Sequence, residues 1–132
     1  VVTDLSKRNK ANKRRGAGFE IDMHEYLAKI FPTERLTKKG REDEGDLVLR
    51  ITSDTALIVE CKNEAAITLS SYVQEAKVEA LNYQAHRVHD VNYPEHAIGV
   101  AIVKRRNSGT EKSYAVMEVS ELVELILCLR GG

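Results

Sequence analysis

The stretch from Asp46 to Lys62 limits the fold more than any other part of this chain. Asp46 to Ile51 alternates, with Leu47, Leu49 and Ile51 on one face, because successive strand residues point to opposite sides. Thr52-Ser53-Asp54-Thr55 has the composition of a turn. Ala56-Leu57-Ile58-Val59 follows as an apolar run of strand length. The whole reads as an antiparallel hairpin whose second strand, Ala56 to Lys62, is buried. That strand ends in Glu60-Cys61-Lys62. Glu60 and Lys62 share a face there, while Cys61 turns away with Leu57 and Val59. Pairing across the hairpin brings Asp46, at the head of the first strand, beside them.

The tripeptide has a duplicate in the same chain. Glu75-Ala76-Lys77 lies in a helical stretch from Ser71 to Arg87, where residues two apart do not face each other. Only the first copy forms a convergent pair.

Other elements follow from periodicity. From Gly18, the residues Phe19, Met23, Tyr26, Leu27, Ile30 and Phe31 predict a helix with one apolar face, stopped by Pro32. Arg35-Leu36-Thr37 fits a short edge strand, and 38–45 a charged loop punctuated by glycine. The second helix places Val73, Ala76, Ala80 and Tyr83 along one side. Ala97 to Lys104 is apolar on both faces and so reads as central. Asn107-Ser108-Gly109-Thr110 predicts a turn, and Ser113 to Val119 a further strand. Ser120 is a good N-cap for a last helix with Leu122, Leu125, Ile126 and Leu129 as its buried stripe. The order predicts one α/β domain, a mixed sheet flanked by helices.

Composition narrows the class. A chain of 132 residues suits one compact domain. Its balance, 42% hydrophobic and 30% charged, is that of a soluble globular protein. No apolar run suits a membrane span, and the N-terminus lacks the apolar core of a secretory signal. Cys61 and Cys128 sit in apolar surroundings and read as reduced core residues of an intracellular protein. The first fifteen residues hold Lys7, Arg8, Lys10, Lys13, Arg14 and Arg15 against Asp4 alone. The chain is formally neutral, so six cations against one acid leave the remainder at a net −5. Residues 1–14 thus read as a basic flexible arm on an acidic body, 15–132. Such an arm can track phosphates while the body gathers carboxylates around metal ions.

The chemistry at the hairpin is that of a metal-assisted hydrolytic site. Mg²⁺ takes oxygen ligands, commonly one or two carboxylates with several waters. Asp46 and Glu60 supply carboxylates, and the Cys61 carbonyl is a plausible third ligand. A bound metal lowers the pKa of water and polarises a phosphoryl oxygen. Lys62 can hold the attacking water and offset charge developing on the phosphorus oxygens. Glu20, at the edge of the first helix's apolar face, could reach the same sheet end and bind a second metal or its water. Asp43, in the run Glu42-Asp43-Glu44, is a rival to Asp46. Gln74 could point to a phosphate, but Ser71 to Gln74 fits a capping box better. His24, His86, His89 and His96 lack ligand spacing with a further partner and read as surface or supporting groups. Lys38, Lys39, Arg41, Lys104, Arg105 and Arg106 are candidate phosphate contacts.

Arg15-Gly16-Ala17-Gly18-Phe19-Glu20, then Gly45-Asp46, then Val59-Glu60-Cys61-Lys62-Asn63 resembles the PD-(D/E)XK nuclease superfamily. Within it the chain looks most like Holliday junction resolvases of the archaeal and phage type. The start at Leu69-Ser70 with Glu75-Ala76, and the run Val103-Lys104-Arg105-Arg106, look like phage versions. The resemblance covers residue 15 to about 127. It implies an αβα sandwich of the restriction endonuclease-like fold, Mg²⁺ or Mn²⁺ dependence, and cleavage leaving a 5′-phosphate. It also implies a homodimer acting on a four-way DNA junction, in the cytoplasm, or in a host's cytoplasm for a phage protein. By the match Asp46 and Glu60 are metal ligands, Lys62 the catalytic lysine and Glu20 the helix-borne acid. Gly45 stands where the superfamily name has proline.

The expectation is a Mg²⁺-dependent endodeoxyribonuclease for branched DNA, serving recombination or repair. Two other readings stay open: a restriction-like or repair nuclease on duplex DNA, and a catalytically silent DNA-binding module of the same fold.

Overall fold

The computed structural model describes residues 17–36, 43–88, 90 and 94–131. The proposed arm and its cations Lys7, Arg8, Lys10, Lys13, Arg14 and Arg15 lie outside the described residues, as do Lys38, Lys39, Arg41 and His89.

Helix α1 occupies residues 17–28. Strand β1, Thr33–Arg35, precedes the hairpin of β2, Leu47–Arg50, and β3, Thr55–Lys62. Helix α2, Leu69–His86, leads to β4, His96–Val103, then to a short 3₁₀ turn, β5, Tyr114–Val116, and helix α3, Val119–Gly131. The five strands form one sheet in the order β1-β2-β3-β4-β5. The β3–β4 pair is parallel, which α2 makes possible by crossing back over the sheet, and the other pairs are antiparallel. This is the α/β architecture expected, with a mixed sheet and helices packed around it.

Strand alternation sorts the core into two sides. Leu47, Leu49, Val59 and Cys61 face α1, where they bury Phe19 and Met23. Val48, Ala56 and Ile58 face α2 and pack on Ala80 and Tyr83. Glu60 and Lys62 have the parity of Ala56 and Ile58, so both belong to the α2 side. The closest approach is at Gly99 of β4, where a Cβ would lie 2.3 Å from the Ala76 carbonyl oxygen. Only the absence of a side chain lets α2 sit this near the sheet.

Several expectations needed correction. The edge strand is Thr33–Arg35, shifted toward the N-terminus, and Leu36 instead packs on the α2-side core. Helix α1 stops at residue 28, before Pro32, because Ile30 and Phe31 turn back to the Leu27 carbonyl. Ile30 and Phe31, beyond its end, are exposed, and so is Tyr26 within it. Helix α2 begins at Leu69, so Ser71 is inside it and makes no capping box. Its hydroxyl donates to the Thr68 carbonyl at 2.9 Å. Strand β5 is short, and α3 already includes Val119. Ser120 therefore lies in the first turn of α3 and donates to Glu118, whose carbonyl accepts the Leu122 N–H.

The stripe of α3 is the largest departure. None of its residues is buried, and Leu122, Ile126 and Leu129 are exposed. The helix leans on the domain through Glu121, Leu125 and Cys128, which are half-buried. Cys128 is thus a free thiol at the margin rather than a core residue, whereas Cys61 is buried and free as expected. Among the described residues no helix is long and apolar enough to cross a membrane.

Candidate metal centre

Three segments meet at the C-terminal end of β3. The β2–β3 pairing ends at Leu47 opposite Val59, and one further backbone bond, Asp46 N–H to the Val59 carbonyl at 2.9 Å, carries Asp46 past it. The Asp46 carboxylate Oδ2 then accepts the Cys61 N–H at 2.8 Å. The hairpin thus seats Asp46 alongside Glu60, as its spacing requires. By alternation the Cys61 carbonyl points the same way as its N–H, beyond the last paired residue of β2.

Glu60 and Lys62 emerge side by side, with Lys62 Nζ 3.5 Å from Glu60 Oε1. The same ammonium lies 2.6 Å from Glu75 Oε2 on α2. It also sits over the Tyr72 ring, 5.3 Å from its centre. The duplicate tripeptide is therefore more than a control, since α2 turns its glutamate onto the lysine of the first copy. Lys77, the other half of the duplicate, pairs instead with Glu118 at 2.9 Å.

A third carboxylate comes from α2. Glu79 is only 2% exposed and Glu60 7%. Glu60 Oε2 and both Glu79 oxygens are shielded from solvent and take no bond from any donor among the described residues. Two carboxylates can bond each other only through a proton. Asp43, Glu60 and Glu79 each present an oxygen within 4.8 Å of the others, a grouping that could hold a metal ion. Asp43, weighed above only as a rival, belongs to this group, and Asp46 does not.

Electrostatics reflect this crowding. Burial, then the charge of Glu60, pushes the Asp46 carboxyl up to about 7 against the pull of the Cys61 N–H. Burial also raises Glu60, although Glu79 and Lys62 oppose it. Glu79 rises furthest, through burial and then its contact with Glu60. Burial works to lower Lys62, but Glu75 and Glu60 outweigh it and hold the ammonium above its ordinary value. The Cys61 thiol is driven up by burial and by the surrounding acids, so it is no nucleophile.

The remaining candidates are placed as follows. Glu20 accepts from Arg35 at 3.2 Å, which ties it to the β1 edge, although its charge still reaches Asp46. Gln74 lines a cavity with Asp43, Glu75 and Glu79 rather than capping α2. Lys104 follows β4 and donates its N–H to the Lys62 carbonyl at 2.9 Å, so the run Lys104 to Arg106 leaves the sheet at the same end as the acids. His24 lies 3.3 Å from the Thr33 carbonyl, and His86 2.6 Å from Glu44.

Sequence reasoning missed Glu79 and the position of Glu75. A signal existed for Glu79. It falls within the buried stripe of Ala76, Ala80 and Tyr83, where an acid has to be buried against the sheet. No protein-family model, curated protein or solved structure matches the chain.

Proposed function

We propose that this chain is a divalent-metal-dependent DNA endonuclease of the PD-(D/E)XK type, with a restriction endonuclease-like core, cutting phosphodiesters in branched DNA. The observation that carries the reading is the convergence of Asp46 and Glu60 at one sheet end, with Lys62 beside Glu60 and a buried, donor-free oxygen on Glu60. An oxygen-only set of this kind suits Mg²⁺ or Mn²⁺. Burying such acids is costly without a counter-charge. Asp46, Glu60 and the Cys61 carbonyl would hold the ion. When bound, it supplies an activated water and charge neutralisation at the phosphoryl oxygens.

The protein's own groups do the rest. The Asp46 bond to Cys61 N–H fixes one carboxylate relative to the other. Lys62 is anchored by Glu75 and Glu60 on either side, which keeps a full positive charge where an attacking water and the phosphate would meet. Glu20 would assist from α1 upon release from Arg35. The basic run Lys104-Arg105-Arg106, together with the N-terminal cations and Lys38, Lys39 and Arg41, would take backbone phosphates. The substrate preference for four-way junctions, and a homodimer presenting two sites to opposite strands, follow from the family resemblance.

The test is cleavage of a synthetic four-way junction against linear duplex, with Mg²⁺ or Mn²⁺. Junction cleavage lost in Asp46→Asn, Glu60→Gln and Lys62→Ala, with junction binding retained, is the expected result. Equal cutting of duplex would favour the restriction-like alternative. Unchanged cleavage in Glu60→Gln or Lys62→Ala would sink the mechanism.

A further inference from the structure

We propose that Asp43, Glu60 and Glu79 form a divalent-cation site on the α2 side of the sheet, distinct from the position beside Asp46, with Glu79 as its buried ligand. The site shares Glu60 with the proposed nuclease centre but does not need that activity to exist.

Five features of the fold bear on a ligand here. The three acids each bring an oxygen within 4.8 Å of the others. Glu79 is 2% exposed, and neither of its oxygens meets a donor among the described residues. A carboxylate kept this far from water carries a heavy desolvation cost, and apart from a cation only a proton shared with Glu60 can offset it. The loop before β2 is also shaped around it. Gly45 has φ +95°, and a Cβ there would lie 3.3 Å from Glu79 Oε2 and 2.8 Å from Ile58 Cγ2. Proline, with φ fixed near −65°, could not take this conformation. The glycine in the superfamily's proline position thus lets the backbone close over the acid.

The loop is also held in place. Asn82 of α2 donates to the Asp43 carbonyl at 2.8 Å, and the Gly45 N–H donates to Asp43 Oδ1 at 2.9 Å. Glu44 is clamped by Arg87 and His86. Asp43 is therefore presented from a fixed turn. Finally, a cavity of about 290 Å³ lies beside Asp43 and Glu79, lined also by Gln74, Glu75, Val78 and Asn82. A water occupies roughly 30 Å³ of liquid, so there is room for the waters that complete a six-coordinate ion.

Asp46 does not belong to this group, and its Oδ2 is engaged by the Cys61 N–H. Glu60 thus stands between two positions, with Asp46 at one and Asp43 with Glu79 at the other. Three carboxylates and no sulfur or imidazole select a hard cation, Mg²⁺, Mn²⁺ or Ca²⁺.

The experiment titrates Mn²⁺ alone into the full chain without DNA, counting bound ions by the loss of the free Mn²⁺ resonance. The expected result is a class of bound Mn²⁺ that weakens at least tenfold in both Glu79→Gln and Asp43→Asn, and that persists in Asp46→Asn. Asp43→Asn keeps the test sound should Glu79→Gln fail to fold, because Asp43 lies on a half-buried loop. Wild-type stoichiometry and affinity in Asp43→Asn or in a folded Glu79→Gln overturns the proposal, as does no Mn²⁺ bound by the wild type. Failure of the nuclease reading is separable: Glu79-dependent Mn²⁺ binding without DNA cleavage removes only that reading. Metal-dependent cleavage with Mn²⁺ binding indifferent to Glu79 and Asp43 removes only this site.

Discussion

Lys62 Nζ lies 2.6 Å from Glu75 and 3.5 Å from Glu60, so one ammonium joins helix α2 to the end of β3. Burial acts to lower its pKa, and the hydrogen bond and charge of Glu75, with the charge of Glu60, reverse this. Removing Glu75's charge should leave burial less opposed. Glu75→Gln is expected to keep cleavage near pH 7 within a few-fold of wild type, since the lysine stays charged there. With the lysine held above its ordinary value, wild type should show no alkaline loss owed to it in single-turnover rates from pH 7 to 10, and Glu75→Gln should bring the onset of such a loss down toward pH 10. A Glu75→Gln profile that matches wild type throughout would show that Glu75 has no hold on the lysine.

Gly99 tests how α2 is docked. A Cβ at this position would meet the Ala76 carbonyl oxygen at 2.3 Å and the Lys77 nitrogen at 3.0 Å, all backbone that no rotamer change relieves. Gly99→Ala must push α2 off β4, and overpacking of this kind costs about 1–3 kcal/mol or more. Chemical denaturation should show that loss, and the shift of α2 should also disturb Glu75 and Glu79. Gly18→Ala, with nothing within 4 Å of its Cβ, is the control and should be close to neutral.

Much of this architecture is legible in the sequence, and the reasons are local. The hairpin could be read because alternation in Leu47–Arg50 and the apolar run before Glu60 leave one register that buries both. That register alone places Asp46 by Glu60. The helix-borne acids are harder, because their positions depend on how α2 rotates on the sheet. Gly99 and Ala76 set that rotation through a contact between residues far apart in the chain. Glu79 was nonetheless marked by its place in the Ala76–Tyr83 stripe. The last helix shows the opposite failure. Its leucines have helical spacing, but spacing specifies a face and not what covers it, and Leu122, Ile126 and Leu129 face outward. Ser120 likewise has the right chemistry for a cap, but Glu118 lies one turn before Leu122 and takes the first backbone bond.

Glu44 gives a pH signature to the loop that carries Asp43. Burial favours its neutral form, but hydrogen bonds from Arg87 and His86 outweigh that and hold its pKa below the ordinary value of 4.5. A lowered carboxyl pKa contributes stability above the unfolded value and loses it as pH falls through the folded one. Arg87→Ala removes the guanidinium that also stacks on Tyr83, 3.8 Å from the ring centre. It should destabilise the protein by about 1–3 kcal/mol at pH 7. The part owed to Glu44 should shrink as pH falls below 4.5 and vanish once pH is below the lowered folded value, while the loss of the stacking and of the bond to the Tyr83 carbonyl remains. Thermal melts of both proteins from pH 3 to 7 measure this. A gap constant across that range would mean that Glu44 contributes nothing through its charge.

The basic run after β4 offers a test of the surface around the acids. Because β3 and β4 run parallel, with Lys104 bonded to the Lys62 carbonyl, Lys104, Arg105 and Arg106 leave the sheet where the carboxylates gather. A nucleic-acid backbone lying across the acids would have to pass this run. Each phosphate contact on duplex DNA contributes roughly 0.9 to the slope of log affinity against log salt. Replacing all three by alanine should therefore lower that slope by about 2–3 if each makes one contact. Affinity should fall for junction and duplex alike, since phosphate contacts carry no sequence information. Binding measured in Ca²⁺ from 50 to 300 mM salt separates this from a structural effect, because weakened folding would not change the slope. An unchanged slope would place the DNA path elsewhere on the sheet end.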